Sequence, residues 1–228
     1  MRRLIPLLLT LAFVLPGCSK RDGATYTGIE AGYIQAGVFT SDNGTAMNIV
    51  GNEGKFDITS GRRVLVQYET RPTSGSGRID IDLLTLWETL ILLPGPAGTL
   101  PDSPEGSPMQ VSDAWFGGQY LNVLATFEGK DPSLHGFGAR FTADENGIVL
   151  RLSHDASQET DPAGQLLGIF LTIPVNEPIR VYEQAVQSQG KKTPYPVSVL
   201  LQWTARTMEG DPLTLYEQKG SYTPPSTN

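Results

Sequence analysis

Short runs of this chain carry apolar residues at every second position, a period that favours strands over long helices. In residues 63–69, Val64, Val66 and Tyr68 share one face, while Arg63, Gln67 and Glu69 share the other around Leu65. Residues 78–83 repeat the pattern, with Ile79, Ile81 and Leu83 inward. Thr73-Ser74-Gly75-Ser76-Gly77 between these runs reads as a hairpin loop. Asp42-Asn43-Gly44 is a second turn signal, between a strand ending near Phe39 and one through Met47 and Ile49. With 25 glycines and 17 prolines, turns are frequent enough to divide the chain into many short strands, so the expected fold class is all-β.

Residues 94–108 hold five prolines and three glycines, a density that neither a helix nor a central strand tolerates. A domain junction is expected there. Residues 25–93, with several strands in a short span, suit a small β-barrel. Residues 109–228 offer strand candidates at 119–127, 135–142, 148–154, 165–173, 197–206 and 213–218, which suit an antiparallel β-sandwich. Asp144-Glu145-Asn146-Gly147 would be a tight turn within it. In residues 176–196, Val181, Ala185 and Val186 would lie on one face of a short helix.

The N-terminus has its own grammar. Met1-Arg2-Arg3 is basic, residues 4–15 are an apolar run, and Leu15-Pro16-Gly17-Cys18 follows. The arrangement resembles a bacterial lipoprotein signal peptide (residues 1–17), which implies lipidation at Cys18 and a polar tether over residues 18–24. The run is shorter than the roughly 20 apolar residues a spanning helix needs, so the expected membrane partner is reached through acyl chains on Cys18. Ser19 is compatible with outer-membrane sorting, so outer membrane is favoured over inner, with periplasmic or surface facing left open. Cys18 is the only cysteine, which excludes disulfides within the chain, cysteine-based zinc sites and a thiol nucleophile in the folded body. A formal charge of −7 gives no electrostatic footprint for nucleic acid.

Few residues offer chemistry. His135 and His154 are the only histidines, and neither stands in HxH or HExxH spacing, so no metal or cofactor is expected. His154 beside Asp155, with Asp161 further on, reads as a structural or polar site at a strand end. No Gly-x-Ser-x-Gly elbow occurs. Asp80 and Asp82 read as the solvated face of a strand. Trp115-Phe116-Gly117-Gly118-Gln119-Tyr120 places three aromatics around a glycine turn. Trp115, Phe116 and Tyr120 are therefore the candidate binding surface, against a plainer reading in which Trp203 is core and Trp115 packs at the domain junction.

Three segments carry a resemblance over nearly the whole chain after the signal. These are Gly61-Arg62-Arg63-Val64-Leu65-Val66-Gln67-Tyr68, Trp115-Phe116-Gly117-Gly118-Gln119-Tyr120-Leu121-Asn122-Val123, and Leu150-Arg151-Leu152-Ser153-His154-Asp155-Ala156. In these the chain is similar to the NigD-like lipoproteins of Bacteroidetes. The resemblance implies an N-terminal OB-type barrel and a C-terminal β-sandwich, and a suggested role in bacteriocin immunity without an established activity. Gly168-Ile169-Phe170-Leu171 departs from the family pattern. The expected function is a lipid-anchored, non-enzymatic interaction module with a protein or peptide partner. The alternative is a carbohydrate- or ligand-binding accessory lipoprotein. A hydrolase would need His154, Asp155 and Asp161, or His135, to converge.

Overall fold

The computed structural model describes residues 25–72, 78–159, 164–207 and 211–225. Cys18 with the signal and tether, the loop at residues 73–77 and Asp161 lie outside these residues. Strands β1 (Thr27–Gln35), β2 (Val38–Ser41), β3 (Ala46–Gly51), β4 (Arg62–Arg71) and β5 (Ile79–Glu88) close into a barrel in the order β1-β2-β3-β5-β4. Antiparallel pairing of β1 with β4 completes the ring, and β3 runs parallel to β5. A closed five-stranded barrel of this kind is OB-like.

The alternating residues of β4 point as their period requires: Val64, Val66 and Tyr68 are buried inside with Ile34, Phe39 and Ile81. Leu83 is also inside, whereas Ile79, at the start of β5, is 39% exposed, so the inward pattern begins only at Ile81. The outer face of β5 is less solvated than the alternation implies. Asp80 is buried and accepts a hydrogen bond from Asn48 Nδ2 at 3.0 Å, and Asp82 pairs with Arg71 at 2.6 Å.

The second half is a β-sandwich. Its strands are β6 (Leu90–Ile91), β7 (Gly95–Pro96), β8 (Gln110–Gly117), β9 (Tyr120–Gly129), β10 (Gly136–Asp144), β11 (Gly147–Asp155) and β12 (Gln165–Pro174). Helix α1 (Asn176–Ser188), β13 (Val197–Ala205) and β14 (Thr214–Tyr222) follow. One sheet has the order β14-β13-β11-β10-β7 and the other β6-β12-β9-β8. The short strands β6 and β7 join different sheets, each running parallel to its neighbour. The sandwich is not purely antiparallel, because β11 and β13 also pair in parallel. The chain between those two passes through β12 in the opposite sheet and through α1, a crossover that returns in the original direction.

Between the sheets, Val123, Phe127, Phe141, Leu150, Leu171, Ile173 and Trp203 form the main core. Strand β8 was not legible as a strand because a bulge between Val111 and Asp113 interrupts its alternation. In α1 the buried positions are Pro178, Ile179, Tyr182 and Val186; of the expected face Val186 is buried, Val181 packs partly buried against the core and Ala185 is half-buried. The helix rests against β10 and β11. Among the described residues no helix is long and apolar enough to cross a membrane.

Candidate functional site

The barrel and the sandwich meet around Arg63, whose side chain is wholly buried. Arg63 points out of the barrel, as the alternation of β4 dictates, into the outer face of the sheet that contains β9 and β12. Its Nη1 and Nη2 donate to Asp42 Oδ1 and Oδ2, both at 2.7 Å. Nη2 also donates to Asn122 Oδ1 at 2.8 Å, and Nε to Thr172 Oγ1 at 3.3 Å. Asn122 Nδ2 returns a bond to Asp42 Oδ2 at 3.0 Å. The guanidinium lies 3.8 Å from the centre of the Tyr120 ring. Tyr33 and Tyr120 join hydroxyls at 2.8 Å. Burial, then that bond, pushes the Tyr120 hydroxyl up to about 12. Gly117 and Gly118 make room for this cluster, since a Cβ on Gly117 would stand 2.4 Å from Asp42 Oδ2.

Trp115, Phe116 and Tyr120 do not form one open surface. Trp115 stacks on Phe170 at 6.0 Å, in an apolar contact between the two halves that includes Ala31 and Leu65. Phe116 points the opposite way, into the sandwich core, with its ring 5.2 Å from that of Tyr222. Tyr120 covers Arg63. All three are half-buried, each on a different neighbour.

The two histidines, 19 residues apart, meet. His135 Nδ1 and His154 Nε2 are 2.8 Å apart, and His154 Nδ1 is 3.0 Å from the Pro108 carbonyl. A carbonyl only accepts, so His154 carries its proton on Nδ1 and accepts at Nε2 from His135 Nδ1–H. His135 Nε2 is then an acceptor, 3.7 Å from Glu159 Oε2 and without a hydrogen bond. Phe127 and Phe137 pack around the pair, and Gly129 leaves space for it, because a Cβ there would lie 2.4 Å from His135 Nε2. Asp155 turns away into solvent and accepts from Ser157 N at 2.9 Å, which holds its carboxyl below the usual range. His154 and Asp155 therefore do not act as a pair, and Asp161 lies outside the described residues. Among the described residues no three His, Cys, Asp or Glu side chains stand close enough to hold a metal ion. Sequence spacing hid the histidine contact, which arises from the register that sets Phe137 opposite His154.

Burial pushes the His154 imidazole below its ordinary value, and the neighbouring His135 adds to this. The unfolded chain thus takes up a proton near pH 6.5 that the folded chain refuses, so stability is expected to fall as pH drops from about 6.5 toward the folded value. Urea unfolding between pH 7.5 and 5 should show this slope. The double variant His135→Phe/His154→Phe should flatten it, since apolar rings replace the His154 imidazole and its hydrogen-bond partner together.

Two clefts remain. One of about 600 Å³ lies over the outer face of the five-stranded sheet, with Arg151 and Gln202 in its lining. Arg151 is tied down there, giving Nη2 to Gln202 Oε1 at 2.7 Å and Nη1 to the Pro101 carbonyl. The other, of about 370 Å³, reaches His154 beside Phe127, Met109 and Leu166.

Solved structures share this arrangement over most of the chain. A NigD-like immunity protein from Bacteroides caccae matches with a TM-score of 0.60 at 19% identity, over 88% of this chain and 97% of that one. The fold is the NigD-like fold. A protein of unknown function, DUF1344, from Bacteroides vulgatus matches at a TM-score of 0.56 and 16% identity, over 90% and 92% of the two chains. A candidate lipoprotein from Bacteroides fragilis matches at 0.55 and 13%, over 85% and 96%. No protein-family model and no curated protein matches the sequence. At these identities the NigD-like likeness concerns the fold.

Proposed function

We propose that this protein is a lipid-anchored, non-enzymatic lipoprotein of the cell envelope that binds another polypeptide, in the manner of an immunity protein. The observation that carries the reading is the employment of its reactive side chains. Both histidines bond to each other inside the sandwich, and Arg63 and Asp42 are engaged by Asn122 and Thr172 across the two halves. Apolar side chains meanwhile stand in solvent, with Leu93 78%, Leu166 67% and Ile29 60% exposed. The name of the Bacteroides caccae structure supports immunity, and that of the Bacteroides fragilis structure supports the lipid anchor. Carbohydrate binding is less well supported, because Trp115 and Tyr120 offer no free ring faces in common.

The test is a pull-down with mass spectrometry from native membranes, using lipidated protein and a soluble form that begins at Ser19. Recovery of one protein partner by both forms is the expected result. Retention of glycans on an array with no protein partner would replace this reading with the carbohydrate one.

A further inference from the structure

We propose that the free edge of β12 receives an extended segment of another polypeptide as an added β-strand over the stretch that contains Gly168. This rests on the polypeptide-binding reading and names its site. On one side β12 pairs with β9 along its whole length, from Gln165 to Pro174. On the other side β6 pairs only with Leu171 and Thr172. Among the described residues no strand lies along residues 165–169 on that side, so backbone groups there face outward, whereas the Phe170 carbonyl already accepts from Thr89 Oγ1 at 3.3 Å.

The other edges are guarded. Strand β8 carries a bulge and Asp113, β14 carries Glu217 and Lys219, and β10 carries Arg140 beside the proline of β7. Gln165-Leu166-Leu167-Gly168-Ile169-Phe170 has no charge, no proline and no bulge. Leu166 is 67% exposed, and Leu167 and Ile169, which face the core, are only half-buried.

Gly168 supplies an independent sign. Glycine weakens a strand interior and marks close approach by another backbone or a ligand. At Gly32, Gly129 and Gly164 an added Cβ would strike the protein's own atoms at 2.2 to 2.5 Å. At Gly168 a Cβ would meet nothing within 4 Å, and the backbone is not left-handed. Nothing among the described residues calls for glycine there, and its missing side chain leaves a notch between Leu166 and Phe170 on the outer face of the sheet, with room for a neighbouring side chain of an added strand.

An edge of unpaired amides and carbonyls recognises main chain, and its apolar flanks select apolar residues at alternate positions. The chain's formal charge of −7 favours basic residues elsewhere in the partner and disfavours a second copy, which brings the same charge.

The probe is a fluorescent peptide alternating valine and threonine with lysine at both ends. A control peptide is N-methylated on alternate amides and lacks those donors. The first should bind and the second should not. Gly168→Lys and Leu166→Lys should each weaken binding at least about tenfold, as edge lysines do, with an unchanged melting temperature. Gly168→Val should melt at the same temperature or higher. Absence of binding, binding that survives both lysine variants, or a fall in melting temperature for Gly168→Val each overturns the proposal. So does a dimer seen by sedimentation that Gly168→Lys dissolves, which would assign the edge to a second copy. If Gly168→Lys still retains a partner found by pull-down, the binding reading stands and the edge does not carry it. An empty pull-down counts against the reading itself.

Discussion

Arg63→Ala is expected to lower stability by about 3–5 kcal/mol, the range for removing one partner of a buried ion pair. Asp42 would keep its charge beneath Tyr120 and Gly117 with only Asn122 to answer it, and Asn122 and Thr172 would each lose a donor. Urea denaturation measures the loss. Arg63→Lys should recover only part of it, because an ammonium cannot present the parallel N–H pair that meets both oxygens of Asp42. Asp42→Ala added to Arg63→Ala should cost less than the sum of the two, since the second change removes the charge that the first stranded. Calorimetry should show the barrel and sandwich unfolding in separate steps in Arg63→Ala if this cluster couples them. A single transition at unchanged temperature would refute the coupling.

Phe39→Ala is expected to cost about 3–5 kcal/mol, the range for deleting a buried aromatic ring. Phe39 is fully buried in a barrel whose core is small, so few neighbours can move into the space. The ring also explains Gly32, where a Cβ would lie 2.7 Å from Phe39 Cε2 and 2.2 Å from the Thr40 carbonyl oxygen. Gly32→Ala should therefore destabilise on its own, and Phe39→Ala should relieve only the part due to the ring, because the backbone oxygen stays. Equilibrium unfolding of the two single variants and the double variant separates these contributions.

Much of the fold was legible in the chain. The period of two in β4 placed Val64, Val66 and Tyr68 inside, and the Asp144 to Gly147 turn joins β10 to β11 as its residues imply. Trp203 is core and Trp115 packs between the two halves. The candidate surface of Trp115, Phe116 and Tyr120 was legible only as a cluster of aromatics. Neighbours in a strand point to opposite faces, so Trp115 and Phe116 part company, and a turn brings Tyr120 back over Arg63.

The sequence alone determined the all-β class, the strand faces and the resemblance to a NigD-like fold, because alternation and turn chemistry act between residues close along the chain. Tertiary structure decided which outward faces would be covered. Arg63 reads as a surface residue of β4, and it is buried by Thr172, 109 positions away. His135 and His154 read as unrelated, and strand register brings them together. Gly168 reads only as part of a departure from the family pattern, and the empty space that distinguishes it from Gly32 is visible in the fold alone. Local pattern records which side of a strand a residue occupies; what lies against that side depends on sheets assembled from distant segments.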